Sequence, residues 1–331
     1  LVKYSLIDNG QSGWIIVFAV NHVIMDGMSA SLHFDHIMKL YIGLKSNESN
    51  DIVPANFNDY VDYHQKTFNS TAAKDYWQKQ GEHIEPLDFP APKVEQPERC
   101  RVVKVIADDH WAAVKKYSRR MKVTPAIYFK ALYGILLSRY CRTEKDFVMI
   151  DVSSGRFKQF NRSMGCFFQE LPFVFSHQLF NTDTSMADYF KQVKSYYREL
   201  GDHKNISIFA RQHWLPVGRL QFNYNFYSFE AKYELFGETL GCHVHEIDIP
   251  DNQVLFVVDV GKAKPQMSIE YHQSMFEDHH FLERMIQLSE QMINADKIVA
   301  TMADISLLTE SEQSQIKHWN DTSKTVDLSH N

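Results

Sequence analysis

Apolar and polar positions change period along the chain, and the changes mark its elements. Val2 to Ile7 alternate loosely, Asp8-Asn9-Gly10 reads as a tight turn, and Gly13 to Val20 is a continuous apolar run. Asn-Gly between two strand-like runs predicts a β-hairpin. The second run is apolar on both faces, which predicts a central, buried strand. Further on, Ala30, Phe34, Ile37, Tyr41 and Leu44 alternate spacings of four and three, the single apolar stripe of a helix. Ser29 is placed to cap it. Helices are also predicted around Phe57 to Lys79, Trp111 to Arg120, Pro125 to Tyr140, Met186 to Leu200 and Asp278 to Ile293. Strands are predicted around Val102 to Ile106, Asp146 to Val152, Glu170 to Phe175, Leu220 to Tyr227, Val254 to Val260 and Met267 to Tyr271. Between Ile84 and Pro97, four prolines (Pro86, Pro90, Pro92 and Pro97) interrupt all periodicity, and this stretch is the predicted lobe boundary. Strands and helices are interspersed on both sides of it, so the fold class is α/β or α+β with two lobes.

Composition narrows the partners. The 331 residues are 44% hydrophobic and carry a net charge of −6, a soluble globular balance without the basic face that nucleic acid demands. The apolar run from Trp14 to Val20 is far short of the roughly 20 residues of a membrane-spanning helix. Cys100, Cys141, Cys166 and Cys242 lie far apart with no CxxC, which fits reduced thiols in a cytoplasmic protein. No signal-peptide pattern opens the chain.

The sharpest chemistry stands at the end of the second apolar run, in Asn21-His22-Val23-Ile24-Met25-Asp26-Gly27. A histidine leaving a strand at a turn is a candidate general base. Asp26 shapes the same turn, and Gly27 lets a backbone approach closely. Asp-Gly is also ordinary turn chemistry. Three histidine groupings, His33 with His36, His243 with His245, and His279-His280, raise the question of metal. His33 and His36 fall on the helix side away from the apolar stripe and read as a solvated face. No third ligand accompanies His243 and His245, so no structural zinc is expected. Lys115-Lys116-Tyr117-Ser118-Arg119-Arg120-Met121-Lys122 is the one basic cluster, a solvated helix face or an anchor for an acidic partner.

The turn also resembles the HHxxxDG motif of nonribosomal peptide synthetase condensation domains, members of the chloramphenicol-acetyltransferase-like superfamily. The resemblance continues in order along the chain. Asn56-Phe57-Asn58-Asp59-Tyr60-Val61 is similar to the family's Y-x-D-F/Y-A segment. Ser154-Gly155-Arg156, Met164-Gly165-Cys166-Phe167-Phe168 and Leu171-Pro172 are similar to its G-R…G-x-F-x-N-x-L-P block. Ile269-Glu270-Tyr271 with Phe276 resembles a late I-E-Y-x-x-x-L-F strand. Ile305-Ser306-Leu307-Leu308-Thr309, Glu312 and Trp319-Asn320-Asp321-Thr322 resemble the linker to a following adenylation domain. Asn21 departs from the motif's first histidine. A complete member of the family is roughly a quarter longer, within the range of two packed lobes. The chain is therefore expected to begin inside the N-terminal lobe. The resemblance puts the arginine that pairs with the motif aspartate in that earlier part, leaving Asp26 without a nameable partner.

The resemblance implies a two-lobed sandwich with the active site in a channel between lobes. Residues 1–90 are the expected remainder of the N-terminal lobe, 91–308 the C-terminal lobe and 309–331 the linker. It implies amide formation between a donor acyl or peptidyl thioester and an acceptor amine. Both are carried on phosphopantetheine arms of carrier proteins, with no cofactor bound directly. His22 would be the base or orienter, and Gly27 an oxyanion contact. Asp26 and Asn21 would be structural, while Ser154, Arg156 and Gly165 are candidates to line the channel. Two other readings stand beside it: an acyltransferase using coenzyme A thioesters, and a non-catalytic domain that recruits a partner.

Overall fold

The computed structural model describes residues 1–10, 13–47, 55–68, 70–87, 89, 92–141, 144–205, 220–227, 233–235, 238–240, 250–276, 278, 280–294 and 300–322. The hairpin forms where Asn-Gly predicts it. Strand β1 (Val2–Asp8) pairs antiparallel with β2 (Trp14–Val20), Val2 opposite Val20 and Asp8 opposite Trp14. β2 is not the central strand expected, however. It pairs with β1 alone, and Trp14, Ile15, Ile16 and Val17 are exposed. An apolar run sets what a strand is able to bury but not how many strands flank it, and none other lies beside it among the described residues.

Helix α1 (Gly27–Ser46) touches the hairpin at Phe18. Phe18 meets Phe34 edge-on at 5.5 Å and the His33 ring at 5.0 Å. His33 thus faces the hairpin rather than solvent, and burial, with His36 nearby, presses its pKa down. Tyr41 and Leu44, at the far end of the expected stripe, are exposed. The single helix expected over residues 57–79 is two, α2 (Asn58–Thr67) and α3 (Thr71–Gly81). Ser70 divides them, its hydroxyl accepting from the Ala73 N–H to start the second.

The remaining elements build one mixed sheet and its helical cover. In chain order they are β3 (Arg99–Val105), α4 (Asp108–Arg120), α5 (Pro125–Cys141), β4 (Phe147–Ser153), β5 (Gln169–Phe175), α6 (Met186–Asp202), β6 (Gln221–Tyr227), β7 (Tyr233–Leu235), β8 (Glu238–Leu240), β9 (Gln253–Asp259), β10 (Gln266–His272), α7 (Phe281–Ile293) and α8 (Glu310–Asn320). The sheet order is β3-β10-β9-β6-β4-β5, with β9–β6 and β6–β4 parallel and the other pairs antiparallel. The short β7–β8 hairpin lies with β7 beside α1.

Helices α4 to α7 pack with one face of the sheet around α5, whose residues from Tyr128 to Leu137 are almost wholly buried. A helix apolar on all sides belongs in the middle of a core. Tyr133 meets Phe256 of β9 at 5.2 Å. Within this core lies an ion pair. Lys130 Nζ of α5 is 2.6 Å from Asp151 Oδ2 of β4, beneath the rings of Phe173 and Tyr197. Burial presses the Lys130 pKa down and the Asp151 pKa up, each opposed by the partner's charge.

The tail is not a bare linker up to residue 320. Thr309 and Glu312 form a reciprocal capping box that starts α8. Arg284 of α7 binds Glu312, Asp278 and the Tyr140 hydroxyl together. Gln291 bonds both polar groups of the Ser306 backbone, so the segment is stitched along α7. The end of the expected linker, residues 323–331, lies outside the described residues, as do Pro90, Cys242, His243, His245 and His279.

Candidate active site

Val20 ends β2, and the chain turns at once. The Asn21 side chain accepts from the Val23 N–H at 3.0 Å, and the Asn21 carbonyl accepts from the Ile24 N–H at 3.1 Å. This Asx-type turn leaves His22 exposed at its crest. The imidazole rests on the Phe168 ring, centroids 4.8 Å apart, and has no hydrogen bond to any described residue. A solvent-facing ring held from one side is free to meet a reactant.

Asp26 closes the turn and caps α1. The cap is Asp26 and not Ser29: Asp26 Oδ1 accepts from the Ser29 N–H at 2.8 Å. Ser29 is instead the third residue of the helix, fully buried, with its hydroxyl donating to the Gly165 carbonyl at 2.6 Å and accepting from the Gly165 N–H at 3.0 Å. Gly27 is the first helical residue. Its N–H is one of the four that a helix leaves without an internal acceptor, at the positive end of the helix dipole.

Asp26 has a partner after all, and it comes from later in the chain. Arg156 Nη2 donates to Asp26 Oδ1 at 3.1 Å, with the two side chains only 2% and 6% exposed. The Phe167 N–H donates to Asp26 Oδ2 at 3.0 Å, and the Asp26 N–H donates to the Gly165 carbonyl at 3.1 Å. Arg156 further donates through Nη1 to the carbonyls of Phe160 at 3.0 Å and Ser163 at 2.7 Å, and its guanidinium lies 4.1 Å from the Phe167 ring centre. A planar fork with several donors suits this role, which lysine cannot reproduce. Arg156 is thus turned inward, while Ser154 is exposed at the start of its loop.

Two glycines make the approach possible. Gly155 has φ +60°, and a Cβ there would sit 1.7 Å from the Phe167 carbonyl oxygen. At Gly165 a Cβ would sit 2.1 Å from the Phe57 ring. Phe57 leads into α2, whose Tyr60 is buried with Phe160 and Phe167 in a small aromatic core. Burial, then the Asp26 charge, pushes the Cys166 thiol up to about 11, so it is a poor nucleophile at neutral pH. The Tyr60 hydroxyl is pushed up to about 12, chiefly by burial.

The comparison with known proteins decides what these elements belong to. The sequence model of the condensation domain matches residues 1–317. The chain belongs to the condensation-domain family. Tyrocidine synthase 2 of Brevibacillus parabrevis is 21% identical over 96% of this chain, and surfactin synthase subunit 2 of Bacillus subtilis (strain 168) is 21% identical over 94% of it. The chain spans 9% of the length of either relative. Among solved structures, the first condensation domain of the calcium-dependent antibiotic synthetase superposes with a TM-score of 0.73 at 13% identity, covering 93% of this chain and 70% of that one. The X-domain from teicoplanin biosynthesis superposes with a TM-score of 0.69 at 13% identity, covering 92% and 74%. A four-domain nonribosomal peptide synthetase bound to AMP and glycine gives 0.73 at 16% identity, covering 95% and 26%. The mixed α/β fold of this condensation domain is that of the chloramphenicol-acetyltransferase-like group.

The structure brings together His22, Asp26, Gly27, Arg156 and Gly165, which the sequence singled out. It adds Ser29, expected only as a helix cap, and Phe57, Phe167 and Phe168, which stood in the family-like motifs without a site role. The signal for the added residues was local: two phenylalanines directly after Gly165-Cys166, and a serine one turn into α1. Elsewhere in this condensation domain, Lys115, Lys116, Arg119 and Arg120 are exposed on α4. Among the described residues no group of three His, Cys, Asp or Glu side chains is placed to hold a metal ion, and no helix is long and apolar enough to cross a membrane.

Proposed function

We propose that this condensation domain forms an amide bond between a donor acyl or peptidyl thioester and the amine of an acceptor aminoacyl thioester. Each would be delivered on the phosphopantetheine arm of a carrier protein. The observation that carries the reading is His22: an exposed imidazole at the crest of a turn that Asp26 and Arg156 hold from beneath.

In this reading the acceptor nitrogen attacks the thioester carbonyl carbon, and the carbonyl electron pair moves to oxygen. The nitrogen becomes cationic and passes a proton to the His22 imidazole. The intermediate then collapses, the C–S bond breaks, and the leaving thiolate takes a proton. An α-amine, with a pKa near 7.7–8.0 in general, is already partly neutral in the cell, so His22 has as much to orient as to deprotonate. Holding two tethered reactants together supplies on the order of 7–11 kcal/mol in the best intramolecular cases. The Gly27 N–H at the start of α1 is suited to receive the developing oxyanion. Asp26 and Asn21 shape the turn and touch no reactant.

We place the division between lobes in the proline-containing stretch ahead of β3, giving 1–90, 91–308 and a linker at 309–331 toward an adenylation domain. A cytoplasmic, multidomain synthetase is the setting that fits. In the full-length polypeptide, His22→Ala should remove most amide product, read by mass spectrometry with both carriers loaded, and leave the melting temperature unchanged. Turnover at the wild-type rate sinks the assignment. A second reading is partner recruitment, favoured by the likeness to the teicoplanin X-domain, which has been solved in complex with OxyB (TM-score 0.67). Recruitment alone gives no amide product in the wild type and no dependence on His22.

A further inference from the structure

The sheet end nearest His22 holds a polar group that the chemistry above leaves unused. Gln169 opens β5 directly after Phe168 and stands opposite Ser153, the last residue of β4. It is 9% exposed, and neither its amide nitrogen nor its carbonyl oxygen has a hydrogen-bond partner. A carboxamide offers two donors and an acceptor oxygen with two lone pairs, and folded proteins seldom bury one with every site unanswered. Arg156 Nε is a second buried donor without a partner. The two flank one residue: Arg156 follows Gly155, and a Cβ at Gly155 would come within 3.0 Å of Gln169 Cγ. Asn223, farther along the sheet, has an unpartnered carbonyl oxygen, but its nitrogen donates to Gln253. Gln169 has both ends open, and its chain neighbour Phe168 is the residue that touches His22.

We propose that Gln169 is a substrate-contacting residue whose carboxamide pairs with a secondary amide of the pantetheine arm brought to His22. The match is one of complementary groups. Gln169 Nε2 donates to the arm's amide carbonyl, and Gln169 Oε1 accepts from the arm's amide N–H. An alkyl chain offers neither group, so Gln169 distinguishes a pantetheine thioester from a plain one. This rests on the amide-forming reading, because it is that reading that brings such an arm to His22.

The test separates the two. The full-length polypeptide is expressed without phosphopantetheinylation, so that no tethered arm competes, and pantetheine alone is titrated calorimetrically. Gln169→Leu, similar in size and without polar atoms, should weaken the Kd about tenfold, the scale of losing paired neutral hydrogen bonds. Gln169→Asn should fall between. The melting temperature of Gln169→Leu should hold or rise, since leucine leaves no orphaned amide in the interior. In turnover, Gln169→Leu should raise KM about tenfold for an aminoacyl-pantetheine at unchanged kcat, again the scale of those bonds. It should leave the same aminoacyl group on propanethiol unaffected. An unchanged pantetheine Kd, or an equal KM rise with the propyl thioester, overturns the role of Gln169. Failure of the wild type to form amide overturns the functional reading instead, and the Kd comparison still decides Gln169.

Discussion

Arg156 Nη2 lies 3.1 Å from Asp26 Oδ1 across 130 residues of chain, and both side chains are withdrawn from solvent. Removing one member leaves the other charge buried without its partner, which costs about 3–5 kcal/mol. Arg156→Leu and Asp26→Ala should each lose stability on that scale, measured by urea denaturation. Arg156→Lys should not restore it, because a single ammonium cannot replace the fork that also holds the Phe160 and Ser163 carbonyls.

The two glycines of the site should respond differently to the same methyl group. At Gly165 the obstacle is the Phe57 ring, a side chain that is itself replaceable. Gly165→Ala should therefore destabilise by about 1–3 kcal/mol, the usual cost of overpacking, and recover in part when combined with Phe57→Leu. At Gly155 the obstacle is a backbone carbonyl at positive φ. Gly155→Ala should have no such rescue. Thermal melts of the three variants and the double variant check both statements.

Lys130 and Asp151 test whether a buried ion pair is an asset or a constraint. Lys130→Met alone strands Asp151 and should cost about 3–5 kcal/mol, whereas Lys130→Met with Asp151→Leu should return most of it. The surrounding rings of Phe173 and Tyr197 offer apolar contact to both replacements. A double variant as unstable as the single one would show that the pair fixes the packing of α5 on β4.

His110 supplies a pH dependence with a definite sign. Its Nε2 is 2.8 Å from the Ser289 hydroxyl, and burial presses its pKa below the ordinary 6.5. The unfolded chain therefore binds the proton before the folded one does. The contribution of this site is full above pH 6.5 and declines as pH falls below that value. His110→Gln should flatten this part of the stability profile, read as melting temperature against pH from 5 to 8, the range in which histidine charge changes.

Periodicity made much of this fold legible, because most helices and strands bury one face and declare it by spacing. The exceptions are instructive. β2 read as central because Trp14 to Val20 is apolar throughout, yet its neighbours are a matter of topology that no local run encodes. The break at Ser70 went unseen because the apolar spacing continues across it while the hydroxyl takes a backbone donor. α8 was hidden by its polar composition, although Thr309 and Glu312 are a capping box in plain sequence. At the site, the His22 turn was legible in one line of sequence. Its support was not, since no pattern in residues 21–29 announces that Asp26 will meet Arg156 or that Ser29 will bridge to Gly165.

That last arrangement has a consequence for how the molecule comes to be. Residues 21–27 are synthesised before residues 156–167, yet among the described residues every hydrogen-bond partner of Asp26 beyond its own helix lies from Arg156 to Phe167. Until that stretch has been synthesised and its loop has closed back on α1, Asp26 has, among the described residues, only the Ser29 and Ala30 N–H groups of its own helix to hold it. Contacts of such long sequence separation form late in folding. The turn that presents His22 is thus made well before the loop that supports it, and acquires that support late. A nascent chain arrested before residue 156 would carry the whole motif without its buried support.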